Sequence, residues 1–277
     1  MSASRIIDGI NVRERPGPGP VVVLLHGIGS NGASFAGIMP LLPGDWRVIV
    51  WDAPGYGGST PPPMDWPVAA DYAAALARVL DALGVGRAYL VGHSLGALMA
   101  GAFARGYPDR VARLLLASPA LGHGVAQCGT LSAQAQARID DLSRLGPEAF
   151  ATARAARLIH DAPAHPDLVE KVRAGMATVR PDGYAQAARM LASGNLADDL
   201  ARITCPADVI VGAGDLVTPP ESARTAHAAI PPALRGGLTT VSGAGHAIYH
   251  QAPGAFAAAI AAMHQPAPLE QTGETHG

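Results

Sequence analysis

Short, continuous runs of aliphatic and β-branched residues alternate along this chain with longer stretches in which apolar positions recur every three or four residues. Six runs read as strands: Val21–Leu25, Arg47–Trp51, Ala88–Val91, Val111–Ala117, Asp208–Val211 and Leu238–Val241. Continuous rather than alternating runs imply burial on both faces, which helices covering both sides of a parallel sheet provide. The helical stretches lie between them. Val68–Leu83 puts Tyr72, Leu76, Val79, Leu80 and Leu83 at helical spacing, with Gly84 as its C-cap. Leu95–Tyr107, Pro219–Ile230 and Pro253–Met263 follow the third, fifth and sixth strands. The alternation predicts right-handed crossovers and an open, twisted, mostly parallel sheet. Arg5–Ile10 and Val12–Arg15 are expected to add a short antiparallel hairpin at its edge.

One stretch breaks the pattern. From Gly122 to about Leu200 no strand-like run occurs, and the sequence reads as helices over Ser132–Leu145, Pro147–Ile159, Asp167–Thr178 and Asp182–Ala192. A helical insertion here is expected to cap the carboxyl edge of the sheet, where ligands bind in open α/β folds. The expected organisation is therefore an α/β core of residues 1–121 and 201–264, a helical cap of residues 122–200 and a polar, frayed tail of residues 265–277.

Composition narrows the partners. Twenty Lys and Arg against 22 Asp and Glu give a net charge of −2, with no basic run, so no nucleic-acid partner is expected. Runs such as Val21–Leu25 fall far short of the roughly 20 residues of a membrane-spanning helix. No basic stretch followed by an apolar one marks a leader at the start of the chain. Two cysteines cannot build a disulfide framework, and the expected location is the reducing cytoplasm. The ten histidines show no H-E-x-x-H or similar ligand spacing, so neither a metal nor a cofactor is expected. Oligomeric state is not legible.

The 33 glycines acquire a meaning at particular turns. Ala88–Val91 runs into Gly92-His93-Ser94-Leu95-Gly96 and then directly into a helix. This is G-x-S-x-G in the strand–turn–helix context that presents a nucleophilic serine. Ser94 must occupy a sharp, strained turn, and Gly92 and Gly96 lie where a Cβ would meet backbone. A serine hydroxyl needs a base, and the base an orienting acid, in the chain order serine, acid, histidine on such a scaffold. Asp215 follows the fifth strand in Val211-Gly212-Ala213-Gly214-Asp215, and His246 follows the sixth in Ser242-Gly243-Ala244-Gly245-His246. The competing readings are a helix N-cap for Asp215 and a buried structural histidine for His246. After the fourth strand, where some related enzymes keep the acid, the chain has Ser118-Pro119-Ala120. Two backbone N–H groups should form the oxyanion hole. These are Leu95, after the nucleophile, and Ile28 in His26-Gly27-Ile28-Gly29-Ser30. His93 is expected to pack beneath the elbow, His26 to bond within its loop, and Asp52 in the Asp52–Ser59 turn to accept backbone N–H groups. The other histidines read as surface residues.

Together, His26-Gly27, the Asp52–Ser59 turn, Gly92–Gly96, Gly214-Asp215 and Gly245-His246 resemble the α/β-hydrolase fold superfamily across nearly the whole chain. Asp182-Gly183-Tyr184, Leu200-Ala201-Arg202-Ile203 and Thr218-Pro219-Pro220-Glu221 are similar to 3-oxoadipate enol-lactonases and related small esterases. The resemblance implies a serine hydrolase cleaving a small ester or lactone through an acyl-enzyme. A carbon–carbon bond hydrolase of aromatic ring-cleavage products is the alternative. Those enzymes typically carry Asn before the nucleophile and Trp after the histidine, where this chain has His93 and Ala247. A non-catalytic ligand receptor on the same scaffold is a third reading. Substrate selection is expected in the cap, with Arg189, Met190, Leu142, Phe150 and Leu158 as pocket candidates. Any of Arg154, Arg157, Arg173, Arg180 and Arg189 could hold a carboxylate or merely face water.

Overall fold

The computed structural model describes residues 4–264; the expected tail and His276 lie outside them. The strands are β1 (Arg5–Ile7), β2 (Ile10–Arg15), β3 (Val21–Leu25), β4 (Arg47–Trp51), β5 (Ala88–His93), β6 (Val111–Ala117), β7 (Ala207–Gly212) and β8 (Arg235–Val241). They form one sheet in the order β1-β2-β4-β3-β5-β6-β7-β8. From β4 to β8 all neighbours are parallel, while β1–β2 and β2–β4 are antiparallel, which makes the N-terminal hairpin an edge. The strand order reverses at β3, between β4 and β5. Such a reversal opens a crevice at the carboxyl ends of the strands.

The helices are α1 (Ala69–Ala82), α2 (Leu95–Gly106), α3 (Ala133–Arg154), α4 (Pro166–Met176), α5 (Pro181–Ser193), α6 (Leu196–Leu200), α7 (Pro220–Ala229), α8 (Ile248–Gln251) and α9 (Pro253–Ala262). Helix α1 buries Tyr72, Leu76, Val79 and Leu80 and stops at Gly84, whose φ is +65°. There the Val85 N–H reaches back to Leu80 O and the Gly84 N–H to Asp81 O, the paired bonds of a glycine C-cap. Helix α2 is buried along almost its whole length because it lies under the sheet's centre.

Central strands are buried on both faces, as continuous apolar runs require. The exception is β8, which begins three residues earlier than the pattern suggested and is exposed along much of its length. It is an edge strand, so only one side of it is covered, and its Gly236-Gly237 start carries no strand signal.

Between β6 and β7, α3 to α6 occupy the chain, and no strand occurs among these residues. Helix α3 breaks at Gly146 (φ +75°, ψ 163°), directly before Pro147, where two separate helices were expected. Helix α6 was not expected; Asn195 caps it by accepting from Asp198 N–H at 3.2 Å. Although it falls inside the span read as cap, α6 packs on α2 and α7. Its Leu196 fills the space over Gly101 of α2. Among the described residues no helix is long and apolar enough to cross a membrane.

Candidate active site

Ser94 joins β5 to α2 with φ +53° and ψ −115°, a conformation that costs a non-glycine residue energy. Neighbouring backbone fixes it: Ser94 N–H donates to Ala117 O at 2.9 Å, and Ser94 O accepts from Ala97 N–H and Ala120 N–H at 2.9 and 3.2 Å. The glycines on either side are required by space. A Cβ on Gly92 would lie 2.4 Å from Gly96 O, and one on Gly96 would lie 2.3 Å from Leu25 O.

His246 and Asp215 meet as the loop positions suggested. His246 Nδ1 lies 2.9 Å from Asp215 Oδ2, and both residues are buried (4% and 2% exposed). The two oxygens of Asp215 have different partners, and the N-cap of α7 is Pro219 rather than Asp215. Oδ1 accepts from Val217 N–H and Thr218 N–H at 2.8 and 2.9 Å, the turn-capping role, which leaves Oδ2 for the imidazole. Burial alone would raise the Asp215 carboxyl, but the His246 bond and these backbone bonds outweigh it and hold the pKa below its usual value. Asp215 is therefore a carboxylate at neutral pH, the His246 proton sits on Nδ1, and Nε2 is left as an acceptor.

Thr218 completes this network and was read from sequence only as part of a helix start. Its hydroxyl lies 2.9 Å from Ser118 O, 3.0 Å from Asp215 Oδ2 and 3.1 Å from His246 Nδ1. The single hydroxyl proton goes to Ser118 O or Asp215 Oδ2, and a lone pair shares the Nδ1–H. Behind the imidazole, His93 Nε2–H donates to His246 O at 2.9 Å. Burial and the neighbouring His246 push the His93 pKa down to about 3, so it stays neutral and positions the His246 backbone.

Gln251 was also missed. Its Oε1 accepts from Gly245 N–H and His160 N–H, each at 2.8 Å, and its Nε2 donates to His160 O at 2.9 Å. Ala247 N–H donates to Leu158 O at 2.9 Å. The histidine loop is thus tied to residues 158–160 of the helical insertion. Gln251 lies five residues past His246, and no local pattern marks such a bridge.

Ile28 and Leu95 line the same cavity as Ser94 and His246. Leu95 is the first residue of α2, so its N–H has no partner within the helix. Gly27 brings the opposite loop close: a Cβ there would lie 2.9 Å from Ser94 Cβ, and Gly29 turns back with φ +73°. His26 holds this loop through Nδ1, which donates to Gly27 O at 2.9 Å. It also reaches outside the loop, because Nε2 accepts from Ala53 N–H at 2.9 Å. Asp52 acts as an acceptor, for Gly32 N–H at 2.8 Å and for Asn11 Nδ2 at 2.6 Å.

The cavity, about 390 Å³, is closed on its far side by the insertion. Phe150 and Leu158 line it. Leu142 and Met190 do not; both are fully buried in helix packing. Arg189 lies elsewhere, beside Trp66 and Cys128, and donates to Asp65 O at 3.0 Å. Helix periodicity identified apolar faces but not which turn of a helix reaches the cavity. Of the other arginines considered, Arg154 and Arg157 line the cavity. Arg173 pairs with Glu170 and Glu148 at 2.7 Å, and Arg180 donates to Ser59 O at 2.8 Å. Two histidines depart from the surface reading: half-buried His227, whose Nε2 donates to Gly236 O at 2.8 Å, and half-buried His250, whose pKa is pushed down to about 4 by burial. His123 is exposed, as expected, and lines the cavity. Among the described residues no cluster of three or more His, Cys, Asp or Glu could hold a metal ion.

The topological switch, the tight strand–turn–helix at Ser94 and the buried imidazole–carboxylate pair lie within residues 20–253, which a family model described as alpha/beta hydrolase fold matches. The chain belongs to that family. Its sequence is 36% identical over 107 residues to 2-hydroxy-6-oxo-6-phenylhexa-2,4-dienoate hydrolase of Comamonas testosteroni, covering 37% of each chain. Its fold is similar to that of a thermophilic esterase from Thermogutta terrifontis, with a TM-score of 0.81, 28% identity and 94% and 97% of the two chains covered. The enol-lactonase of Burkholderia xenovorans LB400 shares the fold at a TM-score of 0.81 and 23% identity, with 94% and 99% covered.

Proposed function

We propose that the protein hydrolyses a small ester or lactone through a Ser94–His246–Asp215 triad. The observation that carries this reading is the buried 2.9 Å His246–Asp215 contact opening onto the cavity that Ser94 lines. His246 Nε2 takes the Ser94 proton as Oγ attacks the carbonyl carbon, and Asp215 stabilises the imidazolium that forms. Ile28 and Leu95 N–H groups donate to the tetrahedral oxyanion, helped by the positive end of α2. His246 then protonates the leaving alkoxide, and in the second half it activates water to release the acid. No Ser94–His246 hydrogen bond within 3.5 Å is formed in this structure, and such bonds commonly close only around substrate.

The Comamonas hydrolase gives carbon–carbon cleavage a place as the second reading. The residues flanking the triad, His93 and Ala247, favour the ester reading. The test is a panel of short p-nitrophenyl esters, lactones and a ring-cleavage diketone, with Ser94→Ala as control. Sustained ester or lactone turnover that falls at least about a thousandfold in Ser94→Ala is expected. Turnover of the diketone alone would replace this reading with the second. Undiminished activity in Ser94→Ala would remove the triad from the reaction.

A further inference from the structure

Gly214 and Gly245 stand immediately before Asp215 and His246, and neither has a positive φ, so neither is glycine for the sake of its backbone angles. What excludes a side chain there is a segment of the insertion. A Cβ on Gly245 would lie 2.6 Å from His160 N and 3.0 Å from Leu158 O, and one on Gly214 would run into the His160 ring. Residues 158–160, extended at buried Ile159 (φ −111°, ψ 126°), thus cross both loops where each lacks a side chain. Hydrogen bonds fasten them. Leu158 O accepts from Ala247 N–H at 2.9 Å, one residue past His246, and Gln251 clamps His160 N–H and His160 O at 2.8 and 2.9 Å.

Leu158 also belongs to the cavity wall that Ser94 and His246 share. One residue of the insertion therefore carries both a surface that substrate meets and a bond to the loop of the base. Which part of a substrate meets it follows from the chemistry. Asp215 holds His246 Nδ1, so Nε2 must protonate the leaving oxygen. The alcohol attached to that oxygen extends along the wall beside His246, where Leu158 and Val217 offer apolar surface. Arg157 also reaches the cavity, but it is exposed and donates to Leu216 O at 3.3 Å.

We propose that residues 158–160 are a positioning strap for Asp215 and His246, and that a leaving alcohol packed on the Leu158 side chain steadies His246 through it. This deepens the ester reading and rests on it. His246 is not hydrogen-bonded to Ser94 in this structure, so its loop has a distance to close before the proton can move. An alcohol that meets Leu158 better in the closed position than in the open one raises the acylation rate as well as the affinity. Leu158 is a positioning residue towards His246, sets the preference for the alcohol, and does not touch the reacting atoms.

The test compares ethyl acetate with butyl acetate, which form the same acetyl-enzyme and so differ only in acylation. Added hydroxylamine takes the acetyl group off Ser94 and leaves acylation limiting, so kcat reports its rate and KM the binding of the ester. Burying two further methylenes should raise kcat/KM about fifteenfold in the wild type, with about fivefold of it in kcat and the rest in KM. Leu158→Ala should lose both shares and Leu158→Met should keep both. Gln251→Ala, which removes the clamp on His160 and spares the Leu158 side chain, should lose the kcat share and keep the KM share. Equal kcat for the two esters in the wild type, or a kcat share that survives Gln251→Ala, overturns the strap while the hydrolase reading stands. If neither ester is hydrolysed, the ester reading fails, and the Nδ1–H proton of His246, assigned by its loss in His246→Ala, decides the strap separately. Its exchange with water should slow several-fold when 1-butanol is added to the wild type but not to Gln251→Ala. No change in the wild type, or the same change in both, overturns the strap.

Discussion

The two walls of the cavity are built by different means. On the sheet side, the turn of Ser94 after β5 holds its position through backbone contacts. Ser94 is fixed by three main-chain hydrogen bonds, and Gly92 and Gly96 sit 2.4 and 2.3 Å from carbonyls on any added Cβ. On the insertion side, the long side chains of Arg138, Arg154, Leu158 and Met176 form much of the wall. Backbone geometry allows almost no substitution, whereas long side chains can be exchanged without moving the chain.

The sharpest way to break this contrast is Gly96→Ala. The new methyl would meet Leu25 O at 2.3 Å and His26 O at 2.9 Å, both main chain and unable to yield. A stability loss of about 3 kcal/mol or more is expected, seen as a fall in Tm of roughly 6–12 °C for a domain of this size. A variant melting within about 2 °C of wild type would show that the elbow wall is softer than it looks.

The bridge between the walls should give an intermediate effect. Gln251→Ala leaves Gly245 N–H and His160 N–H without their acceptor, at about 1–3 kcal/mol if water does not replace it. Because these bonds hold the His246 loop, kcat should fall about tenfold with KM little changed, and Gln251→Glu, which keeps the acceptor but sets a second oxygen against His160 O in place of the Nε2 donor, should recover only part of it. An unchanged kcat would mean that the histidine loop holds its position without the insertion.

The third effect is a matter of pH. Burial holds folded His93 near pKa 3, against 6.5 for a free histidine. Between these values the unfolded chain binds a proton that the folded chain does not, so stability falls as pH drops through this window, by about 1.4 kcal/mol per unit. His250, half-buried and lowered to about 4, acts in the same direction with a smaller share. Urea midpoints at pH 7 and pH 5 should therefore diverge in the wild type and diverge less in His93→Gln. An equal divergence in both would assign the acid limb to other groups.

The contrast also explains what could be read without coordinates. Strand cores such as Val21–Leu25 and Arg47–Trp51 were legible to the residue, because burial on both faces writes itself as an uninterrupted apolar run. The elbow and the loops of Asp215 and His246 were legible because tight backbone demands glycine at fixed offsets. Edge strand β8 was misjudged in extent because its Gly236-Gly237 start and exposed residues carry neither signal.

Local sequence, then, determined the central strands and the glycine-built turns that carry Ser94, Asp215 and His246, since each depends on spacing within a few residues; the strand order was decided by the tertiary fold. Tertiary structure alone decided that Thr218 shares the His246 proton, that Gln251 ties its loop to residues 158–160, and that Arg138 rather than Arg189 reaches the cavity. Those contacts join side chains distant in sequence or from different helices. Their partners are chosen by how helices rotate and pack, and helical periodicity states which residues share a face but not what that face meets.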